Sequence, residues 1–179
     1  YIKKRLERMD NHLRLLFKEL ESYSESKLNE TPQPDKWSVF QVLHHLIRVE
    51  RGSLQYVNKK LSHQPELKKA GIQTAMRTAA LSVFAGVPIK IKAPTAVGSN
   101  LPPHSTFWEI VKLYKESRHE LHTFFADVPA ELLNKEVYKH PLVGRMTLVG
   151  MLSFFEAHFF RHRKQIYKTL KKVKAIKQV

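Results

Sequence analysis

The chain contains no cysteine among its 179 residues. This absence excludes disulfide bonds, zinc–thiolate sites and a cysteine nucleophile. Any metal ion would need histidine, aspartate, glutamate or water as ligands, and any thiol chemistry would need a thiol supplied from outside. No apolar run approaches the roughly 20 residues that a membrane-spanning helix requires, and no signal peptide is visible. The sequence therefore predicts a cytoplasmic protein with no membrane partner.

Acidic residues are scarce: 31 Lys+Arg stand against 16 Asp+Glu, which gives a net charge of +15. The excess lies in two segments, since residues 51–108 carry eight basic side chains and one acid, and residues 161–179 carry eight and none. Such segments can attract an anionic ligand or a nucleic acid. No helix-turn-helix, zinc-finger or aromatic RNA-binding signature accompanies them, so a solvated surface is favoured over nucleic-acid binding.

Apolar residues at the start of the chain recur with the spacing of a helix. They alternate at four and three residues, which places one apolar seam along a helix: Ile2, Leu6, Met9, Leu13, Leu16, Leu20 and Tyr23. This helix should end by about Leu28, because two prolines follow. Ser38 is a natural N-cap for a second helix, which should continue to about Leu61.

Two further helices are predicted in the second half of the chain. The third begins at Thr106, which has capping-box spacing to Glu109. The fourth runs from about Thr147 to Lys172. Because no alternating strand pattern competes with these helices, the sequence predicts one all-α domain over residues 1–179, a four-helix bundle.

Two connections join the predicted helices. Residues 62–105 form a long crossover between the second and third helices, and such a crossover permits the two helices to run parallel. Residues 67–86 of this crossover can form a helix, whereas residues 87–105 are rich in proline and small side chains and are predicted to be irregular. The shorter connection, residues 127–145, contains Gly144 as its tight-turn residue.

The fourth predicted helix carries two histidines four residues apart, in the stretch EAHFFRHRKQI. On a helical wheel His162, His158 and Gln165 fall about 40°, 80° and 100° to the same side of the core direction. Histidines at this spacing can converge on one divalent ion, although the pattern also fits two ordinary residues at the edge of a core. A third ligand must come from another helix. His44 and His45 lie on opposite shoulders of the second helix, and periodicity does not choose between them.

Three other polar residues are weaker candidates. His104 and His140 lie in loops near helix ends and could approach the site, but surface positions are the simpler expectation for both. Glu50 faces the core side of the second helix, and we expect it to pair with a basic residue or touch a neighbouring helix rather than to act as a base. The sequence contains no serine-nucleophile motif, glycine-rich phosphate loop or paired carboxylates for glycoside chemistry.

Two segments together resemble the DinB-like, or YfiT-type, family of metal-dependent helical bundles. KWSVFQVLHHLIRVE is similar to the family's second-helix segment, in which a Trp-Ser pair precedes a helix with a His-Leu step. HPLVGRMTLVGMLSFFEAHFFRHRKQI is similar to its closing segment, with a Pro and Gly turn, a Thr-Leu helix start and the pattern HxxxHxxQ. The order and separation of these segments also agree, so the likeness spans the domain.

The resemblance implies a bundle in up-down-down-up order with three histidines near one end that bind a divalent ion, commonly nickel or zinc. Carried onto this chain, the ligands are His45, His158 and His162. Gln165 matches the family's trailing glutamine and can hydrogen-bond a ligand or a metal-bound water. Gln41 stands where the family frequently has a glutamate, a departure that bears on the surroundings of the metal.

The resemblance also implies a class of chemistry. A divalent ion on three neutral imidazoles keeps open positions, where it can lower the pKa of water, bind a thiolate or polarise a carbonyl. The wider family includes thiol-dependent S-transferases and isomerases. The leading hypothesis is therefore an enzyme that transfers an external low-molecular-weight thiol to a small molecule or hydrolyses that molecule. Lys90 and Lys92 of the basic segment 51–108 are candidates for binding an anionic thiol, and an equally good interpretation is that they only keep a loop solvated. The alternatives are a non-catalytic metal-binding or structural bundle, which could form a homodimer, and a basic nucleic-acid-associated protein.

Overall fold

The structure is a computed structural model that describes residues 1–63, 66–86 and 98–176. The described residues are mostly helical: α1 is Ile2–Leu20, α2 Glu25–Asn29, α3 Val39–Ser62, α4 Ile72–Gly86, α5 Phe107–Asp127 and α6 Leu148–Ile176. A 3₁₀ turn, Ala130–Leu132, and a small hairpin of β1, Tyr138–His140, and β2, Gly144–Met146, separate the last two helices. None of the described helices is both long and apolar enough to cross a bilayer.

Two buried clusters show how the long helices are oriented. The first joins the beginnings of α1 and α6 to the ends of α3 and α5, through Leu6, Leu152, Val57 and Leu121. The second joins the ends of α1 and α6 to the beginnings of α3 and α5, through Leu20, Ile166, Phe40 and Ile110. The helices α1 and α6 therefore run one way and α3 and α5 the other. This arrangement confirms the all-α bundle and its up-down-down-up order.

The crossover between α3 and α5 includes α4, which packs against α6 and contacts β2. A helix was predicted within residues 67–86, and the structure confirms it from Ile72 onward. Gly150 on α6 permits the close approach, because a Cβ there would lie 3.0 Å from Thr78 Oγ1 on α4. The predicted Lys90 and Lys92 lie outside the described residues.

Both predicted helix caps are present. Ser38 Oγ accepts the Gln41 N–H at 3.2 Å, while Gln41 Oε1 accepts the Ser38 N–H at 3.0 Å. Thr106 and Glu109 make the same reciprocal pair at the start of α5. The side chain of Gln41, the residue that departs from the family pattern, is therefore used to cap α3.

Two features differ from the sequence prediction. The first helix ends at Leu20 rather than near Leu28, and a separate short α2 follows, capped by Ser24. The second connection contains the β1–β2 hairpin, in which Tyr138 pairs with Met146 and His140 with Gly144. Each strand has three residues, which is too short for alternation along the sequence to reveal it.

Gly144 is the first residue of β2, directly after the three-residue turn of this hairpin, and it has a φ of 84°. We expect Gly144→Ala to lower the free energy of unfolding by about 1–2 kcal/mol, because a side chain in the left-handed region is strained. Steric crowding would not cause this loss of stability, because the atom nearest to an added Cβ is Arg77 Cζ at 3.9 Å. Urea unfolding measures the change in the free energy of unfolding.

The matched control is Gly52→Ala in α3, where nothing lies within 4 Å of the added Cβ. The stability of this variant should stay equal or rise. Equal effects of the two substitutions would contradict the strain.

Candidate metal centre

Three histidines from two helices bring their Nε2 atoms together. His158 Nε2 on α6 lies 3.3 Å from His45 Nε2 on α3 and 3.0 Å from His162 Nε2 one turn along α6. All three candidate ligand atoms lie within 4.8 Å of one another. Metal–nitrogen bonds of about 2.0–2.1 Å place neighbouring ligand nitrogens about 2.9–3.4 Å apart in tetrahedral or octahedral geometry. The two short separations therefore match those of two ligand pairs around one divalent ion.

The antiparallel packing of α3 on α6 places His45 beside the histidine pair of α6. His45 lies in the second turn of α3, where its ring is 4.9 Å from the ring of Trp37, measured between centroids. On α6, the ring of Phe154 lies 5.1 Å from that of His158. Aromatic walls therefore cover the cluster on two sides, and the Trp-Ser pair before α3 has a structural role as one of them.

Gln165 orients one of the three imidazoles. Its Oε1 accepts a hydrogen bond from Nδ1 of His162 at 2.8 Å. With the proton held on Nδ1, Nε2 of His162 keeps its lone pair directed at the other two histidines. Such an outer partner fixes the tautomer that a metal ligand needs.

His158 and His162 are uncharged at neutral pH. Burial is the main cause that lowers the pKa of His158 well below its ordinary value, and the neighbouring His162 and His45 add to the effect. Burial likewise lowers the pKa of His162 to about 3. A single proton on His158 Nε2 could bridge one of its two short contacts, whereas a divalent cation satisfies both. The donor set therefore fits a metal ion.

The structure distinguishes between the two adjacent histidines of α3. His45 enters the cluster, while Nε2 of His44 lies 2.7 Å from Oγ of Ser105, a residue just before α5. The choice required the position of α6, so periodicity in α3 alone could not make it. His104 is exposed, as expected of a loop histidine.

The expected surface position of His140 is wrong. Its side chain is buried, and Nδ1 accepts the N–H groups of Leu142 and Val143 at 3.2 and 3.4 Å. The ring contacts Phe154 with centroids 4.5 Å apart, so Phe154 lies between His140 and His158. Burial lowers the pKa of His140 to about 4. The unforeseen hairpin is the reason, because β1 places His140 on its inward side.

Glu50 and Arg118 form a separate buried ion pair, which the half-exposed Asp10 extends towards the surface. Arg118 Nε on α5 donates to Asp10 Oδ1 at 2.6 Å, and its Nη1 lies 3.5 Å from Glu50 Oε2. The predicted pairing of Glu50 with a basic residue is thereby confirmed. Beside the pair lies a cavity of about 10 Å³ that Tyr114 also lines.

Comparisons with known proteins agree with this architecture. A family model described as the DinB superfamily matches residues 5–166, a range that contains all three clustered histidines and Gln165. The chain is also similar to the uncharacterized protein YuaE of Bacillus subtilis (strain 168). The two are 25% identical over 160 residues, covering 87% of this chain and 90% of that protein. No solved structure matches the chain significantly.

Proposed function

This chain belongs to the DinB superfamily, and from that premise we propose that it is a divalent-metal-dependent enzyme with His45, His158 and His162 as ligands. The observation that carries the proposal is the pair of Nε2–Nε2 separations, 3.0 and 3.3 Å, centred on His158. Nickel and zinc are the proposed ions because the family resemblance implies them, and neutral imidazole is a suitable ligand for both.

The proposed chemistry follows from a donor set of three neutral nitrogens. An ion bound there would act as a Lewis acid with open positions for a thiolate or a water molecule. The chain's own residues prepare that environment: Gln165 holds His162 in one tautomer, and the rings of Trp37 and Phe154 limit the access of water. We propose that substrate approaches at His158, which is partly exposed, whereas the exposed fractions of His45 and His162 are 3% and 7%.

The proposed reaction is transfer of a low-molecular-weight thiol to a small electrophilic molecule, with hydrolysis of such a molecule as the variant that uses water. The lack of cysteine supports an external thiol as nucleophile, and the net charge of +15 favours an anionic one. A non-catalytic metal-binding bundle is the second candidate, favoured by the burial of two of the three histidines.

Cobalt substitution tests this proposal. We expect untagged protein purified without chelator to contain about one nickel or zinc ion per chain by elemental analysis, and to accept Co²⁺ in its place. Adding N-acetylcysteine should then produce a thiolate-to-cobalt charge-transfer band, because an open position remains beside three histidines. S-methyl-N-acetylcysteine, which cannot form a thiolate, is the matched control.

Each result separates the candidates. A thiol-dependent band together with consumption of the thiol and an alkyl halide supports the transferase. Bound cobalt with unchanged spectra in the presence of thiol and of electrophile supports the non-catalytic bundle. Failure to bind any divalent ion overturns both.

A further inference from the structure

A second concave site lies at the other end of the α3–α6 contact. It is a cleft of about 590 Å³ between the start of α4, the segment before it and the β2 strand. Its charged lining consists of Glu66, Lys68, Lys69, Arg77, Glu136 and Arg145. Most of the lining residues are exposed, so the cleft is a wide depression that opens to solvent. The cleft precedes α6, whereas His158 lies about 15 Å along that helix, so the two sites are separate.

Positive charge predominates in this cleft. Four cationic side chains, those of Lys68, Lys69, Arg77 and Arg145, face two carboxylates. One of these carboxylates, that of Glu136, already accepts a hydrogen bond from the Thr74 hydroxyl. Among the described residues none of the four cations takes part in an ion pair. Their charge is therefore available to a ligand.

The backbone at the start of α4 adds to the positive electrostatic potential of the cleft. The cleft is lined by Gly71 and Ile72 at the start of α4, a helix of 15 residues whose N-terminal end carries partial positive charge. Lys60 is close enough for like-charge repulsion from Arg145, which together with burial, the larger cause, lowers the Lys60 pKa. An anion in the cleft would relieve the crowding of these cations.

We propose that this cleft binds a small phosphate-bearing anion. Two guanidinium groups, Arg77 on α4 and Arg145 on β2, suit phosphate because each can donate two parallel hydrogen bonds to its oxygens. A nucleic acid fits this cleft less well, because its phosphate backbone needs cations along an extended track. The four cationic side chains instead surround one concavity, which the exposed apolar side chain of Ile72 also lines.

The probe is inorganic pyrophosphate, titrated by calorimetry into the full chain. We expect Arg77→Gln/Arg145→Gln to weaken its binding at least about tenfold, since each substitution removes charge-assisted hydrogen bonds. The control Lys4→Gln/Lys18→Gln removes the same charge from exposed positions of α1 and should leave the affinity within about twofold. Both double variants keep the three histidines, so pyrophosphate bound to a metal there would survive in both.

Three outcomes would overturn the proposal. The first is that the unsubstituted chain does not bind pyrophosphate at millimolar concentration. The second is that both double variants weaken pyrophosphate binding equally, which would indicate diffuse electrostatic attraction. The third is that a single-stranded oligonucleotide binds more tightly than pyrophosphate and that its binding depends on Arg77 and Arg145. Circular dichroism of both variants confirms that they are folded. Metal content measured on the same samples shows that the result is independent of the histidine centre.

Discussion

Replacing His158 with alanine is expected to weaken nickel or zinc binding at least about 100-fold. His158 Nε2 makes both short contacts of the cluster, so its loss would remove the central one of the three proposed ligands. Substituting a residue that only orients a ligand costs about 10–100-fold in affinity, and losing the ligand itself should cost more. Competition with a chromogenic chelator gives the affinity, and elemental analysis gives the occupancy.

The adjacent histidines of α3 supply the matched control. His45→Ala should reproduce the loss seen with His158→Ala, while His44→Ala should retain the metal, because His44 faces Ser105 instead. Both residues are buried, so a general effect of emptying a buried position would appear in both. Retention of metal by His45→Ala and its loss from His44→Ala would show that the ligand assignment is wrong.

Arg118→Met is expected to lower the free energy of unfolding by about 3–5 kcal/mol. The substitution leaves Glu50 buried without its cationic partner, and breaking a buried pair from one side has a cost of this size. It is a large share of the roughly 5–15 kcal/mol that stabilises a typical domain. Denaturant unfolding measures it. The control Arg51→Met should cost at most about 1 kcal/mol, since Arg51 pairs with the more exposed Glu116 and Glu120.

The loss of stability in Arg118→Met should depend on pH with a defined sign. Burial, the largest cause, raises the pKa of Glu50 above its ordinary 4.5 even with Arg118 present. The folded state therefore binds a proton that the unfolded state has released, and stability falls as pH rises above 4.5. Without Arg118 the pKa of Glu50 should rise further, so the fall should continue to higher pH. Adding Glu50→Gln removes the charge and should restore more than half of the loss. A double variant no more stable than Arg118→Met would contradict the explanation.

Local chemistry made much of the fold predictable. The seam from Leu6 to Leu20 and the caps at Ser38 and Thr106 depend on residues within one helix or beside its start. Such signals are readable in sequence, and the structure confirms them. The β1–β2 hairpin depends on pairing between three-residue strands, which leaves too few positions for a pattern.

The candidate site was predictable only in part, because it is formed between helices. The i, i+4 spacing identified His158 and His162 as a pair, but the third histidine depends on which side of α3 faces α6. The family resemblance selected His45, and the structure places it with the pair. Arg118 near Glu50 and the charged cleft before α6 join residues distant in sequence, and no local pattern marks such contacts.

The position of the histidine cluster has a consequence for the lifetime of the folded chain. His45 and His158 are 113 residues apart in sequence, so an ion held between them would tether two remote parts of a chain that has no disulfides. A ligand that binds only the folded state stabilises it by about 2.7 kcal/mol at a free concentration of 100 times Kd. Proteolysis acts chiefly on opened molecules, whose population falls with that stabilisation. The concentration of available metal in the cell would then determine the rate at which the protein is degraded, in addition to its activity.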